Sequence, residues 1–262
     1  MDLGLANKSV FVAAASKGLG KASALEFAKE GAMVTIASRS MDQLEQAREE
    51  IFALTGREVT IVQMDVMNKD DIRHAIQIAA SAGGGLDILV TNAGGPRSGN
   101  FADMTDSDWQ QGFELSLLST IRMINESLPY LRLADGGRIV NLASTSIKLP
   151  IPGLILSNVF RAGVQSLTKS LAAELAPDGI LINTVAPGRI ATDRITELDR
   201  KRANDRGFSI EEIQAEAAMQ IPLGRMGTPE EFAKIVVFYG SFANSYVTGQ
   251  TLIVDGGMIK AL

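Results

Sequence analysis

Short apolar runs alternate with amphipathic stretches along almost the whole chain. Runs at Ser9–Ala13, Met33–Ser38, Val59–Gln63, Leu86–Thr91, Gly137–Leu142, Ile180–Ala186 and Thr251–Val254 have the length and β-branched content of buried strands. Between them, apolar positions recur three and four apart at Lys21–Glu30, Met41–Leu54, Lys69–Ala82, Ser107–Leu133, Ser157–Ala176 and Pro229–Tyr239, which predicts helices. Strands that lack a polar alternation are buried on both faces, and intervening helices supply the cover. The pattern predicts an α/β fold: a doubly wound, seven-stranded parallel sheet flanked by helices, with right-handed crossovers. No linker, repeat or low-complexity segment divides residues 1–262, so the chain reads as a single domain. The stretch 190–220 differs in texture, with Asp193, Arg194, Glu197, Asp199, Arg200, Lys201 and Arg202 close together. It reads as two short helices joined near Gly207, a helical lid segment over the strand ends. Thr228, Pro229 and Glu231 form a helix-start signal with a capping box.

In open parallel sheets, ligands bind outside the carboxyl ends of the strands, where the strand order reverses. The first predicted strand is followed by Ala14-Ala15-Ser16-Lys17-Gly18-Leu19-Gly20 and then by a helical pattern. Unpaired N–H groups and the helix dipole favour an anion at such a helix start, and Gly18 and Gly20 admit a pyrophosphate close to the backbone. The domain is therefore expected to be a Rossmann-type, dinucleotide-binding one. The end of the second strand meets the adenosine ribose, where an acid binds a free 2′-hydroxyl and a base accommodates a 2′-phosphate. Here stand Ser38 and Arg39 without a carboxylate, and Lys17 adds a second cation, so NADP(H) is favoured over NAD(H). Asp65 and Val66 close the third strand, within reach of the adenine edge. Asn92-Ala93-Gly94 close the fourth, and Pro187, Gly188, Ile190 and Thr192 follow the sixth; all join the candidate cofactor set.

Composition narrows the remaining choices. A net charge of −5 without a basic stripe argues against nucleic acid as a partner. There are no cysteines, which excludes thiolate catalysis and cysteine-ligated metals, and no metal site is expected. The one histidine, His74, falls in a charged helical segment and reads as a solvated position. No apolar run approaches the length of a membrane span, and residues 1–8 lack the pattern of a signal peptide, so a cytoplasmic location is expected.

The strand-end motifs, together with Asn183 and the closing Val254-Asp255-Gly256-Gly257, resemble the short-chain dehydrogenase/reductase family over nearly the whole chain. Within it the sequence looks most like the 3-oxoacyl carrier-protein reductase type. The family's Thr-Gly-x-x-x-Gly-x-Gly corresponds to Ala13–Gly20, with the threonine and first glycine replaced by alanine. At position 14 this alanine either restricts the turn to φ < 0 or imposes strain. The resemblance implies hydride reduction of a carbonyl, with a tyrosine as acid and a lysine four residues on that lowers its pKa and holds the nicotinamide ribose. It also implies a serine thirteen residues before the tyrosine and an asparagine on an earlier helix. The serine is present as Ser144; Ser157 stands for the tyrosine, Arg161 for the lysine and Ser116 for the asparagine. A serine hydroxyl is a far weaker acid than a phenol, and arginine cannot shed a proton to a relay. An altered proton path, or a catalytically inactive nucleotide-binding sensor or partner subunit, is therefore implied.

Four cations fall near the expected mouth: Arg97, Lys148, Arg161 and Arg189. Their convergence would attract a carboxylate or phosphate, which makes an anionic small-molecule substrate the expectation, with Arg97, Lys148 and Arg189 as its candidate contacts and Lys148 or a bound water as proton donor. The helical segments Ser107–Leu133 and Ser157–Ala176 carry more apolar residues than one sheet face needs. A homo-oligomer, tetramer or dimer, is the expected state.

Overall fold

The structure, a computed structural model, describes residues 1–261. Seven strands form one parallel sheet: β1 (Ser9–Ala13), β2 (Met33–Ser38), β3 (Thr60–Gln63), β4 (Ile88–Thr91), β5 (Arg138–Leu142), β6 (Leu181–Pro187) and β7 (Thr251–Val254). Their order is β3-β2-β1-β4-β5-β6-β7, so the direction of progression reverses between β1 and β4. In-register pairing such as Val12 with Ile36 and Val90 with Val140 brings the carboxyl ends to one edge.

The helices are α1 (Gly18–Lys29), α2 (Met41–Thr55), α3 (Lys69–Gly83), α4 (Asp106–Phe113), α5 (Ser119–Leu131), α6 (Ile155–Leu175), α7 (Asp193–Arg206), α8 (Ile210–Met219) and α9 (Pro229–Gly240). Alternation along β1 explains the three layers. Val10 and Val12 pack into a core with Phe27 of α1, Leu44 of α2 and Phe232 of α9. Phe11 and Ala13 face the other side, where Ile72 and Ile76 of α3, Met123 of α5 and Leu175 of α6 lie. Both faces of the sheet are thus covered, as its unbroken apolar strands require.

The predicted boundaries hold to within a few residues, with two informative exceptions. The first helix begins at Gly18 rather than Lys21, so the glycine turn is itself the first helical turn. The predicted helix Ser107–Leu133 is divided: between α4 and α5 the backbone makes a π turn over Glu114–Leu118, closed by the Ser119 N–H donating to the Glu114 carbonyl. Apolar spacing carries through such a turn, so periodicity alone does not reveal it. Residues 190–220 form two helices joined at Gly207 with φ of 71°, as expected from the charge-rich texture. Thr228 and Glu231 make the expected capping box at α9.

The backbone explains two positions of the glycine motif, one substituted and one retained. Ala14 adopts φ of 48°, the left-handed region, so the alanine is strained rather than restricted to negative φ. That conformation costs an L-residue about 1–2 kcal/mol. Gly20 is required for another reason: a Cβ there would run into the Ala14 carbonyl oxygen and come within 2.9 Å of the Ala15 Cα. Gly20→Ala is accordingly expected to lose about 1–3 kcal/mol, because backbone must move. Ala14→Gly is expected to be neutral or to gain up to about 1 kcal/mol, since glycine tolerates the left-handed conformation but carries more unfolded-state entropy. Urea unfolding of the two variants beside the unaltered chain measures both effects.

Candidate active site

The switch in strand order opens a crevice between the ends of β1 and β4. Ala15 N–H donates to the Ala37 carbonyl at 3.1 Å, and the Asn92 side-chain amide reaches the Ala14 carbonyl at 3.3 Å. These contacts hold the glycine turn against its two neighbouring strand ends. The α1 N-terminus has no side-chain cap and no acid in its first turn, whereas α2, α3, α4, α8 and α9 are capped by Ser40, Asn68, Thr105, Ser209 and Thr228. Free N–H groups at a helix start suit an anion. The start of α7 also lacks a side-chain cap at Thr192, and its methyl lies 3.8 Å from where a Gly18 Cβ would stand. The uncapped start of α1 at Gly18, whose missing Cβ leaves open space up to the Thr192 methyl, fits a pyrophosphate.

Toward β2, Ser16 Oγ lies 2.9 Å from Ser38 Oγ and donates to Gln43 Oε1 at 3.3 Å. Arg39 is exposed beside this group, and its carbonyl accepts from Gln63. Lys17 is exposed and forms a long pair with Asp193 at 3.8 Å. The Asp65 carboxylate accepts the Met67 N–H at 2.9 Å, fixing the turn that carries Val66. Gln43 was not expected; it sits within the first turn of α2, just after the Ser40 cap, a position that sequence alone gives no reason to single out.

Toward β5 and β6 lie the candidate catalytic residues. Ser144 ends the β5 segment and its Oγ accepts the Ser146 N–H at 3.2 Å, which leaves its own proton free. Ser157 is 9% exposed, one turn before Arg161 on the same face of α6. Arg161 donates from Nη1 to the Leu142 carbonyl at 2.9 Å, and from Nη2 to the Ala93 and Gly94 carbonyls at 3.3 and 3.4 Å. It therefore joins the ends of β4 and β5. Burial pushes its pKa down to about 10, so it remains charged at neutral pH. Ser116 lies in the π turn, fully buried, and its hydroxyl has no partner. Below the site, Thr91 donates to Asn141 at 2.6 Å and Asn141 donates to Thr168 at 2.9 Å. Thr168 spends its proton on the Val164 carbonyl, so the 2.8 Å contact with Thr184 is donated by Thr184. This satisfied chain locks β4, β5, β6 and α6 together.

The expected convergence of free cations is not what the side chains make. Arg97 donates to Asp108 Oδ2 at 2.7 Å and to the Asp103 carbonyl at 2.9 Å. Arg189 places one nitrogen 2.6 and 2.7 Å from the two oxygens of Asp199, which is wholly buried in α7. Each is paired with a carboxylate; Lys148 alone of the three is exposed and without an ion pair among the described residues. Asp199 was only one of many charges in its segment. Its partner is ten residues away, and nothing in the charge pattern marks that pairing. Arg194 and Lys201 of α7 reach the Pro96 carbonyl and Ser98, so α7 rests across the loop after β4. Tyr239 is packed in the core, Tyr246 is 97% exposed, and His74 is exposed as expected. Among the described residues no cluster of acids and histidine could hold a metal, and no helix is long and apolar enough to cross a membrane. Two concavities of about 330 and 320 Å³ lie at the opposite, amino edge of the sheet, lined by residues such as Arg57, Glu58, Gly83 and Tyr130.

The sequence matches the family described as Enoyl-(Acyl carrier protein) reductase over residues 13–259. The chain belongs to the short-chain dehydrogenase/reductase family. Among its relatives, the 3-oxoacyl-[acyl-carrier-protein] reductase of Aquifex aeolicus is 35% identical, over 98% of this chain and 100% of the relative. L-Sorbose reductase from Gluconobacter frateurii, solved with NADPH and L-sorbose, is 32% identical and covers 100% of each chain with a TM-score of 0.94. An NADPH-bound short-chain oxidoreductase from Pseudomonas aeruginosa PAO1, described as containing an atypical catalytic center, is 29% identical. It covers 98% of this chain and 99% of its own, with a TM-score of 0.89. The fold of this short-chain dehydrogenase/reductase thus agrees with its relatives from end to end.

Breaking the Arg189–Asp199 pair tests how α7 is held. Asp199→Ala is expected to cost about 3–5 kcal/mol by stranding the arginine, while Arg189→Met with Asp199→Leu costs less. Chemical denaturation of both variants gives the comparison.

Proposed function

We propose that this chain is an NADP(H)-dependent oxidoreductase that reduces a small carbonyl compound without a tyrosine acid. The observation that carries this reading is the placement along one sheet edge of the Ser16–Ser38–Gln43 group after β1 and β2, the uncapped α1, and the Ser144 hydroxyl after β5. Ser38, Arg39 and Lys17 offer hydroxyls and positive charge to a 2′-phosphate with no carboxylate on β2 to compete, and NADPH in the solved relatives supports the same preference. Bound there, NADPH supplies a hydride. Ser144 Oγ orients and hydrogen-bonds the carbonyl oxygen; Arg161 holds the β4 and β5 ends in place. The proton for the developing alkoxide comes through solvent beside Ser157, because neither Ser157 nor Arg161 is an acid of useful strength.

An anionic substrate, such as an oxo acid or a 3-oxoacyl compound, fits the charge of the site: Lys148 stands free beside the Ser144 turn. Helices α7 and α8 act as the lid. The aromatic run Phe101, Trp109, Phe160 and Phe113, with centroids about 6 Å apart, leaves an apolar face on α4 and α6. A second copy covers that face in a cytoplasmic homodimer or homotetramer, which sedimentation measures directly. The alternative reading, a nucleotide-binding sensor or partner subunit without turnover, draws on the commitment of Arg161 to three carbonyls.

A screen of carbonyl compounds with NADPH oxidation as the readout separates the two. Turnover is expected, strongest with oxo acids, and Lys148→Ala is expected to raise KM for those acids more than for neutral ketones. Ser144→Ala is expected to lower kcat/KM about 10²-fold or more. The rate should be flat from pH 6 to 9, since a serine hydroxyl does not titrate there and Arg161 loses its proton only near pH 10. Ser157→Tyr with Arg161→Lys should bring back a pH-dependent limb and, as general acid catalysis returns, about 10²-fold in rate.

A further inference from the structure

Arg161 is a buried cation that nothing of opposite charge balances. It is 6% exposed, its three acceptors are all neutral carbonyls, and no ionised group contributes to its pKa shift, which burial alone produces. Carbonyl dipoles solvate a guanidinium, but they leave its net charge in place. The neighbouring cations differ in this respect: Arg189 is cancelled by Asp199, and Lys17 faces Asp193 in solvent.

The position of this charge follows from topology. The 2′-phosphate group of residues lies beyond β2, and the pyrophosphate site lies at α1, next to β1. An extended dinucleotide therefore directs its other end over β4, β5 and β6, where the Ala93, Gly94 and Leu142 carbonyls hold Arg161. That other end is the nicotinamide, whose ring is neutral when reduced and positively charged when oxidised. A tyrosine–lysine pair can hold a phenolate opposite its ammonium. Ser157 has no such anion to offer.

We propose that Arg161 makes this site select the reduced over the oxidised nicotinamide dinucleotide. Two like unit charges within a nanometre, at an effective dielectric of about 20, shift a binding constant by about ten-fold. Salt screens such a buried charge poorly, so the preference persists at physiological ionic strength. The proposal rests on the crevice binding NADP(H), but it does not require turnover.

Calorimetric titration of the full chain with NADPH and with NADP⁺ tests it. NADPH is expected to bind about ten-fold more tightly or better. Ser157→Asp sets a carboxylate one turn from Arg161 without touching its carbonyl bonds, and should bring the two affinities within about three-fold, by tightening NADP⁺. Arg161→Lys keeps the charge and should keep the preference. Arg39→Ala is the internal control: it should weaken both forms alike and leave their ratio unchanged. Thermal melts of each variant confirm that it is folded before titration. Equal affinities in the unaltered chain, or a ratio that Ser157→Asp leaves untouched, would overturn the proposal. Failure of both forms to bind overturns it together with the cofactor reading. A clear preference for NADPH with no turnover of any carbonyl sustains it and removes only the reductase reading.

Discussion

The closeness of α1 to the end of β1 governs the ligand-binding edge of this molecule. Because Gly20 has no side chain, the helix settles onto the Ala14 carbonyl, and its first turn of free N–H groups is presented to the crevice. Ala14 accepts a left-handed backbone to make that approach possible. The same carbonyl also receives the Asn92 amide, so the β4 end is registered to the glycine turn. From β4 the hydrogen-bonded chain through Thr91, Asn141, Thr168 and Thr184 extends the registration to β5, β6 and α6. One steric fit thereby sets the frame in which Ser144 and Arg161 stand.

The half-buried Arg189 and the buried Arg161 at this edge show two solutions to the same electrostatic problem. Taking a guanidinium out of water is costly unless its donors are satisfied. Arg189 meets a buried carboxylate, so the pair is neutral and serves to hold α7 over the strand ends. Arg161 meets only carbonyls, so its hydrogen bonds are satisfied while its field remains. The first arrangement is mechanical. The second keeps a permanent charge at the ends of β4 and β5, within a backbone frame that agrees with the relatives over nearly all of its length.

Much of the fold, and the gathering of the candidate site residues at one edge of the sheet, was legible in the chain. The seven apolar runs became the seven strands, and the motifs at their ends converge on one edge, because parallel strands joined by helices leave few other ways to bury such runs. The π turn at Glu114–Leu118 was not legible, since its single wider hydrogen bond leaves apolar spacing almost unchanged. The partners of the cations were not legible either. Arg97 and Arg189 looked available for an anion, yet Asp108 and Asp199 reach them first, and Gln43 joins the Ser16–Ser38 pair from another element.

The sequence by itself determined the layers and the family. It could do so because periodicity and local motifs depend on neighbours along the chain. Only the tertiary structure decided which charges are spent and which are left over. That depends on distances between residues far apart in sequence, on burial, and on whether the nearest oxygen belongs to a carboxylate or a carbonyl. Arg189 and Arg161 are the same residue type, and packing alone pairs one with a carboxylate and leaves the other without a counter-charge.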